Sequence, residues 1–533
     1  MDHDSAEAQA ATGDTDVEPP PRLRAWFGLI ALALAVAMNS LDMSVVTVAN
    51  PAISADLGTG LSELEWVTTA YILAFAAFLV PAGKLGDRFG HKQVFLVGIA
   101  GFALSSALVG LSTGLVPLVG WRVLQGVCGA MLMPSALAIL RLTFPPDKLK
   151  VAIGVFMGIF SVAGLAGPLF GGLMVEFASW RWAFYINVFT GAIAFVVVLL
   201  AVRRSEPTST SERFDFPGVA LMTVALVALV WGITQVPVVG WTDVRAIGAV
   251  AVAVVAGTLF VFRERGTDSP LVPLSLFRSG PVVAGVLAMF LGGGLMFGSW
   301  FFLALYFQHV RGMTPVQAGL GLLPLAAMSI VCGPLAGKLN QRYGRRVPLT
   351  IGPLAMAAGL IGLAQVAIAP SAHETSSYHS IWPFLVLIGG GISLIYPVAT
   401  EVVLASVPEE LAGVSAGVSE TAATVGPVPG IAVLGSILQF GVVADLGDGL
   451  AAAGVPRDVA VRVAESGDAV GQGVTVIPEG TPESLVPVIT EQTREAFLGG
   501  LQASLTVAGV LVLSIVGLVW WLVKPEQRVE TTV

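Results

Sequence analysis

Polar residues interrupt this chain only briefly. From Trp26 to Val523, fourteen largely uncharged stretches follow one another, at 26 to 50, 66 to 83, 94 to 112, 115 to 140, 151 to 175, 182 to 202 and 216 to 236, then at 246 to 262, 281 to 308, 315 to 337, 347 to 369, 381 to 404, 413 to 440 and 497 to 523. Each is about the length a helix needs to cross the hydrocarbon of a bilayer. Helix is the conformation they predict, because a lone helix satisfies its own backbone in lipid and the alternation of a lipid-facing barrel strand is missing. The composition agrees: of 533 residues, 55% are hydrophobic and 12% charged, too apolar a chain to cover the surface of a soluble domain. The expectation is an all-α membrane protein with fourteen transmembrane helices.

The charged residues set an orientation. With a cytoplasmic N-terminus, Lys84, Arg88, Lys92, Lys148, Lys150, Arg203, Arg204, Arg263, Arg265, Lys338, Arg345 and Arg346 all fall inside. The other side keeps Arg181, Arg245 and Arg311, together with Arg457, Arg462 and Arg494 in a loop, 442 to 497, too long to weigh. Both termini are expected in the cytoplasm. Residues 1 to 24 open with Asp2, Asp4, Glu7, Asp14, Asp16 and Glu18 and then Pro19, Pro20 and Pro21, which reads as a disordered acidic tail and not a cleavable signal. Loop 442–497 reads as a solvated linker in which DVAVRVAESGDAV can form a short helix. Most tryptophans, Trp180 and Trp241 among them, fall near run ends and read as interfacial anchors. Cys128 and Cys332 lie apart inside apolar runs, so no disulfide framework or zinc site is expected.

A motif returns. AGKLGDRFGHK (82 to 92) is echoed by AGKLNQRYGRR (336 to 346), Gly83 matching Gly337 at an offset of 254 residues. GPLFG (167 to 171) is echoed by GPVPG (426 to 430) at an offset of 259. Two similar offsets imply duplication: a six-helix bundle at 25–204, an inserted pair of helices at 205–265, a second bundle at 266–524 and a cytoplasmic tail at 525–533. Proteins built from repeated halves place substrate between them near the midplane and rock one half against the other.

Charge inside the runs needs a reason. Asp42 sits deep in the first, where an ionised group costs about 2.5–3.5 kcal/mol on insertion scales. Arg122, at similar depth in the fourth run, is its expected partner, and Gln125 lies three positions on. The pair reads either as a proton site or as a static tie between helices. Gln125 reads as a donor to a cavity group or as an interhelical hydrogen bond. Glu420, in VSETAATVGP, has no basic residue in its run; it faces a wet cavity or stays protonated and hydrogen-bonded. Glu401, near an inner end, can reach the interface.

GKLGDRFGHK resembles the signature loop of the major facilitator superfamily, and WRVLQGVCGAMLMPS (121 to 135) resembles its motif in the fourth helix. LDMSVVTVANPAI (41 to 53), GLAGPLFGG (164 to 172) and SWRWAFYINV (179 to 188) are similar to motifs of its fourteen-spanner drug:proton antiporters. The resemblance implies the major facilitator fold in a 6+2+6 arrangement. It implies a monomeric exporter in the plasma membrane that takes hydrophobic, cationic or amphiphilic drugs and antibiotics out against protons, with no cofactor, metal or nucleic acid. A dedicated exporter of one natural product is the alternative.

In that frame Gly83, Asp87, Arg88, Gly90 and Lys92 form a gating latch, the glycines turning the chain, Asp87 capping the third helix and the two bases bridging to the other half. Gly164, Gly167, Pro168, Gly171 and Gly172 form the antiporter face of the fifth helix, and Glu420 resembles a cation-recognising or second protonation site. Two departures stand out: Gln341 replaces Asp87 in the second copy, and Pro427 and Pro429 predict a bent helix. An enzyme is disfavoured, since GVSAG (413 to 417) lacks a strand-turn-helix setting and HETSSYH (373 to 379) has the wrong spacing for a zinc protease. The duplicated halves argue against a channel or sensor. Richness in Ala, Gly and Val points to a bacterial source.

Overall fold

The computed structural model describes residues 22–58, 61–202, 215–239, 243–368, 378–465, 467–471 and 473–523. The acidic tail to residue 21, the segment 203–214 at the expected bundle boundary, Trp241 and the C-terminal tail lie outside them. The described chain is helical, with no strand. Its first set of helices is α1 (Arg22–Leu57), α2 (Leu61–Phe89), α3 (His91–Gly110), α4 (Leu115–Ala130) continued by α5 (Leu132–Thr143), α6 (Pro146–Phe177) and α7 (Trp182–Ala201). Two helices follow, α8 (Phe216–Val239) and α9 (Val244–Gly266). The second set is α10 (Gly280–Leu305), α11 (Pro315–Gly321) with α12 (Leu323–Tyr343), α13 (Pro348–Gly362), α14 (Tyr378–Ala405), α15 (Ala412–Val425) with α16 (Pro427–Ala452), α17 (Arg457–Glu465), α18 (Gly467–Gly471) and α19 (Val486–Leu522).

Twelve helical stretches among the described residues are long and apolar enough to cross a membrane. The runs 151–175 and 315–337 are helical, within α6 and α11–α12, but are not among those twelve. The expected bend after Glu420 falls where α15 gives way to α16, with Pro427 in the first turn of the new helix, a position that needs no backbone donor.

Pairing repeats between the two sets. α1 packs on α6 and α7, α2 on α4, and α3 on α4 and α7; in the second set α10 packs on α15, α16 and α19, α12 on α14, and α13 on α14 and α19. Each set buries its own core, around Leu29, Phe95, Phe102 and Phe156 in the first and Met289, Met356, Ile395 and Leu501 in the second. The GP motifs explain two of these contacts. On α6, a side chain at Gly164 would meet the Ser40 Oγ at 2.7 Å, and one at Gly171 the Val45 carbonyl oxygen at 3.2 Å. Gly167 is buried on the same helix, and Pro168 and Gly172 continue it. The echo does the same against α10: a Cβ on Gly430 would lie 2.7 Å from the Gly294 Cα. Gly430→Ala is therefore expected to lower the thermal midpoint of the purified protein by several degrees, through overpacking of about 1–3 kcal/mol; an unchanged melt would show that the two helices have room to part.

The sets meet along two seams. α2 runs beside α15, where a Cβ on Gly417 would meet the Leu79 carbonyl at 2.7 Å. α12 runs beside α6, where a Cβ on Gly333 would meet the Gly154 carbonyl at 3.0 Å and one on Gly337 the Val151 Cα at 2.8 Å. α8 and α9 pack on each other, and α8 also lies against α2 and α16, one helix of each set. Their ends are tied at a buried cluster. Asp215 pairs with Arg263 at 2.7 Å and accepts from the Gly218 amide, while Glu264 accepts from the Leu271 and Val272 amides.

Loop 442–497 is not a solvated linker. α16 continues through it to Ala452 and α19 begins at Val486, while α17 and α18 pack on α16. Val455, Val459, Val463 and Val470 bury into the second core. The signal was a valine every four residues, which gives α17 an apolar stripe.

Candidate functional site

Asp42, Arg122 and Gln125 come together as the sequence predicts, buried between α1 and α4. Arg122 Nη1 donates to Asp42 Oδ2 at 2.5 Å and to Gln125 Oε1 at 2.8 Å, and Gln125 Nε2 donates to Asp42 Oδ1 at 3.0 Å. Asp42 is 1% exposed and Arg122 fully enclosed. The guanidinium is held on its other sides as well: Nε donates to the Val67 carbonyl at 3.0 Å, and its carbon stands 4.2 Å from the centre of the Tyr71 ring, a cation–π contact strengthened by the dry surroundings. The Tyr71 hydroxyl donates to Asn39, one turn before Asp42 on α1.

Sequence reasoning missed a third donor. Asn187, from α7, gives an N–H to Asp42 Oδ1 at 2.8 Å. Three donors from two helices thus converge on a carboxylate of a third, and all three bonds are of the charge-assisted kind. The available signal was a lone amide in the otherwise apolar run 182–202, inside SWRWAFYINV.

Glu420 does not join this cluster. It lies on α15, nearly buried and within electrostatic reach of Tyr396 on α14, and among the described residues its carboxylate has no hydrogen-bond or ion-pair partner. Glu401 is buried, not at an interface, and accepts from Asn340 Nδ2 at 3.0 Å.

The repeated loop corrects three expectations. Gly83 and Gly86 lie within α2, where they permit close packing; only Gly90, at φ 91°, makes the turn. Its counterpart Gly344, at φ 79°, does likewise. Asp87 does not cap α3, whose start has no side-chain cap. It reaches across the seam and accepts from the Gly413 and Val414 amides at 2.9 and 3.1 Å, at the start of α15, where unpaired amides and the helix dipole both favour a carboxylate. Where a bridge between the halves was expected of Lys92, its Nζ donates to the Leu199 and Val202 carbonyls at 2.8 and 2.6 Å, closing the end of α7 in its own set. Arg88 stands 5.4 Å from the neighbouring Phe89 ring.

Arg141 does cross: it donates to the Val407 carbonyl at 2.5 Å, beyond the end of α14. His91 Nε2 lies 3.1 Å from Asp87 Oδ1 in the same buried seam. In the second copy Gln341 is exposed and Asn340 turns inward to Glu401, so the two seams are built differently. At the opposite end of the first set, Asp56 accepts from Arg181 at 2.7 Å and from the indole N–H of Trp180 at 3.2 Å. The Arg181 hydrogen bond, with that of Trp180, holds the Asp56 carboxyl below the usual carboxylate range. Trp180 is thus a buried structural residue and not an interfacial anchor.

Two helical sets of matching pairing, meeting at glycine-lined seams, with a charge pair buried inside the first, define a membrane transporter fold. The chain matches the model of the Major Facilitator Superfamily over residues 32–431 and belongs to that superfamily, a family of transporters and not of enzymes. It is 40% identical over 510 residues to the tetracenomycin C resistance and export protein of Streptomyces glaucescens, covering 95% of this chain and 94% of that one. It is 31% identical over 497 residues to the multidrug efflux pump LfrA of Mycolicibacterium smegmatis, covering 92% and 95%. The proton:xylose symporter XylE superposes with a TM-score of 0.60 at 13% identity over 94% and 96% of the two chains, a likeness of fold alone.

Proposed function

We propose that this protein is a proton-driven exporter of hydrophobic, cationic or amphiphilic drugs and antibiotics, working as a monomer in the bacterial plasma membrane by alternating access. In this reading the chain has fourteen spans in two bundles, 25–204 and 266–524, joined by the inserted pair at 205–265, with both termini cytoplasmic. The end bearing Arg24, Arg88, Lys92, Arg141 and Arg346 is then the inner one, in keeping with the positive-inside bias. The observation that carries the reading is Asp42: an ionisable carboxylate enclosed among three donors and paired with Arg122, placed away from water as a proton carrier must be. Arg122 and Gln125 hold its charge, and Asp87 at the head of α15 holds the inner seam closed. Gly164 and Gly171, pressed on Ser40 and Val45, let α6 and α1 stay in close register while the bundles rock. No cofactor is required, the gradient supplying the energy.

The test is transport into acid-loaded and symmetric proteoliposomes, with tetraphenylphosphonium and neutral dyes compared. Uptake that follows the imposed pH gradient supports the reading; uptake indifferent to it ends it. Glu420, an acid without a counter-charge, is assigned to cation recognition. Glu420→Gln is expected to weaken tetraphenylphosphonium transport about 10-fold, the loss of roughly one hydrogen-bonded or paired charge, while sparing neutral dyes. Equal loss for both would remove that assignment. The tetracenomycin C exporter, at 40% identity, favours a second reading, a pump dedicated to one natural product; a panel in which a single compound moves would select it.

A further inference from the structure

The hydrogen bonds around Asp42 contain one member that can change polarity. Arg122 only donates. Gln125 is locked, because its Nε2 donates to Asp42 while its Oε1 accepts from Arg122; turning that amide would point N–H groups at the guanidinium and lose both bonds. Asn187 is different. Its Nδ2 donates to Asp42 Oδ1 at 2.8 Å and to Ser106 Oγ on α3 at 3.0 Å, whereas its Oδ1 is buried without a partner among the described residues. The Ser106 hydroxyl donates to the Phe184 carbonyl at 2.9 Å, a bond that rotation about its C–O axis gives up.

Turning the Asn187 amide by half a revolution exchanges oxygen and nitrogen in nearly the same volume. Oδ1 then faces both Asp42 and Ser106. It accepts the O–H of a neutral Asp42 carboxyl, and the rotated Ser106 hydroxyl donates to it. No Oδ1 bond among the described residues is broken, whereas the two Nδ2 bonds are. The first arrangement suits ionised Asp42 and the reversed one neutral Asp42; the second costs the two Nδ2 bonds and the Ser106 bond to the Phe184 carbonyl, Nδ2 moving to the position where Oδ1 has no partner among the described residues. The charged or titratable groups facing Asp42 are Arg122 and, on α2, Tyr71; α7 and α3 present the neutral Asn187 and Ser106, and α6 packs on α1 through glycines.

We infer that Asn187, backed by Ser106, is a positioning residue that reverses its side-chain amide when Asp42 takes up a proton, so that Asp42 keeps a hydrogen-bond partner in both of its states. The inference rests on the proton-coupling reading of Asp42. Its consequence is a more stable neutral state, because neutral Asp42 otherwise presents its O–H to donors alone. Asn187→Leu removes a charge-assisted bond from the ionised form and a weaker neutral one from the protonated form. The ionised form loses more, so the midpoint of the transport pH profile moves up by about one unit, a tenfold change in proton affinity.

Infrared difference spectra of the purified full-length protein between alkaline and acid pH test this without transport. The expected spectrum contains a carboxyl carbonyl band that Asp42→Asn removes and, with it, a primary-amide carbonyl shift that Asn187→Leu removes and Ser106→Ala displaces. Tetraphenylphosphonium transport by Asn187→Leu and Ser106→Ala gives the pH profile, and thermal melting confirms that each variant is folded. Should Asn187→Leu fail to fold, the Ser106→Ala spectrum decides. An Asp42-dependent carboxyl band with no amide signal from Asn187 overturns the inference and leaves proton coupling standing. No Asp42-dependent band at any pH overturns proton coupling, and the inference with it.

Discussion

Asp42→Asn is expected to abolish gradient-driven export, at least a hundredfold in initial rate, while the protein still inserts and folds. The asparagine fills the same space and keeps an oxygen for Arg122 Nη1. Arg122 is in addition held by the Val67 carbonyl, by Gln125 Oε1 and by the Tyr71 ring, so its charge is not stranded. Removing one partner of a buried ion pair ordinarily costs about 3–5 kcal/mol; these remaining contacts are expected to hold the loss to the lower end, visible as a lowered thermal midpoint and not as unfolding. What the variant cannot do is bind and release a proton. Counterflow of substrate without a gradient should survive, because alternating access needs only a neutral residue there. Export at the normal rate from Asp42→Asn proteoliposomes under a pH gradient would remove the proton role.

The same cluster shows what could be read from the chain and what could not. Asp42 and Arg122 were legible because a charge deep in an apolar run is costly enough to demand a partner, and few partners exist. Gln125 followed from helical spacing. Asn187 was not legible: a neutral amide carries no comparable penalty, and nothing in one dimension brings α7 beside α1. The repeat was legible as similarity, and the structure gives it physical content, since Gly83 and Gly337 each press on the backbone of the opposite set and Gly90 and Gly344 each turn the chain with positive φ. The direction in which Asp87 points was not legible, because the nearest helix start in sequence is α3 and the nearest in space is α15. Likewise Lys92 was read as a bridge because its charge was visible, while the carbonyls it closes at the end of α7 belong to no sequence pattern.

Asp87→Ala is expected to open the seam between α2 and α15. Two amides at the head of α15 lose a charged acceptor, and each such bond is worth about 1.5–3 kcal/mol. A loss of roughly 3 kcal/mol or more shifts a two-state equilibrium by over a hundredfold. The bonds run between the sets and not within one, so the cost falls on the closed arrangement and little on folding. Val80, buried on α2, packs with Val414 of α15 in one apolar cluster, and Cys128 and Cys332 are both buried. A single cysteine at position 80 therefore reports opening over a low background. Its reaction with a maleimide should accelerate at least tenfold in Asp87→Ala, with export falling in parallel. Asp87→Asn, which keeps one acceptor, should lie between. Lys92→Ala gives the contrast: its bonds close α7 within one set, so it should lower the melting temperature and leave the labelling rate alone. If Asp87→Ala labels no faster than the parent while Lys92→Ala does, the latch resides in the basic residue and the seam is held by its glycines alone.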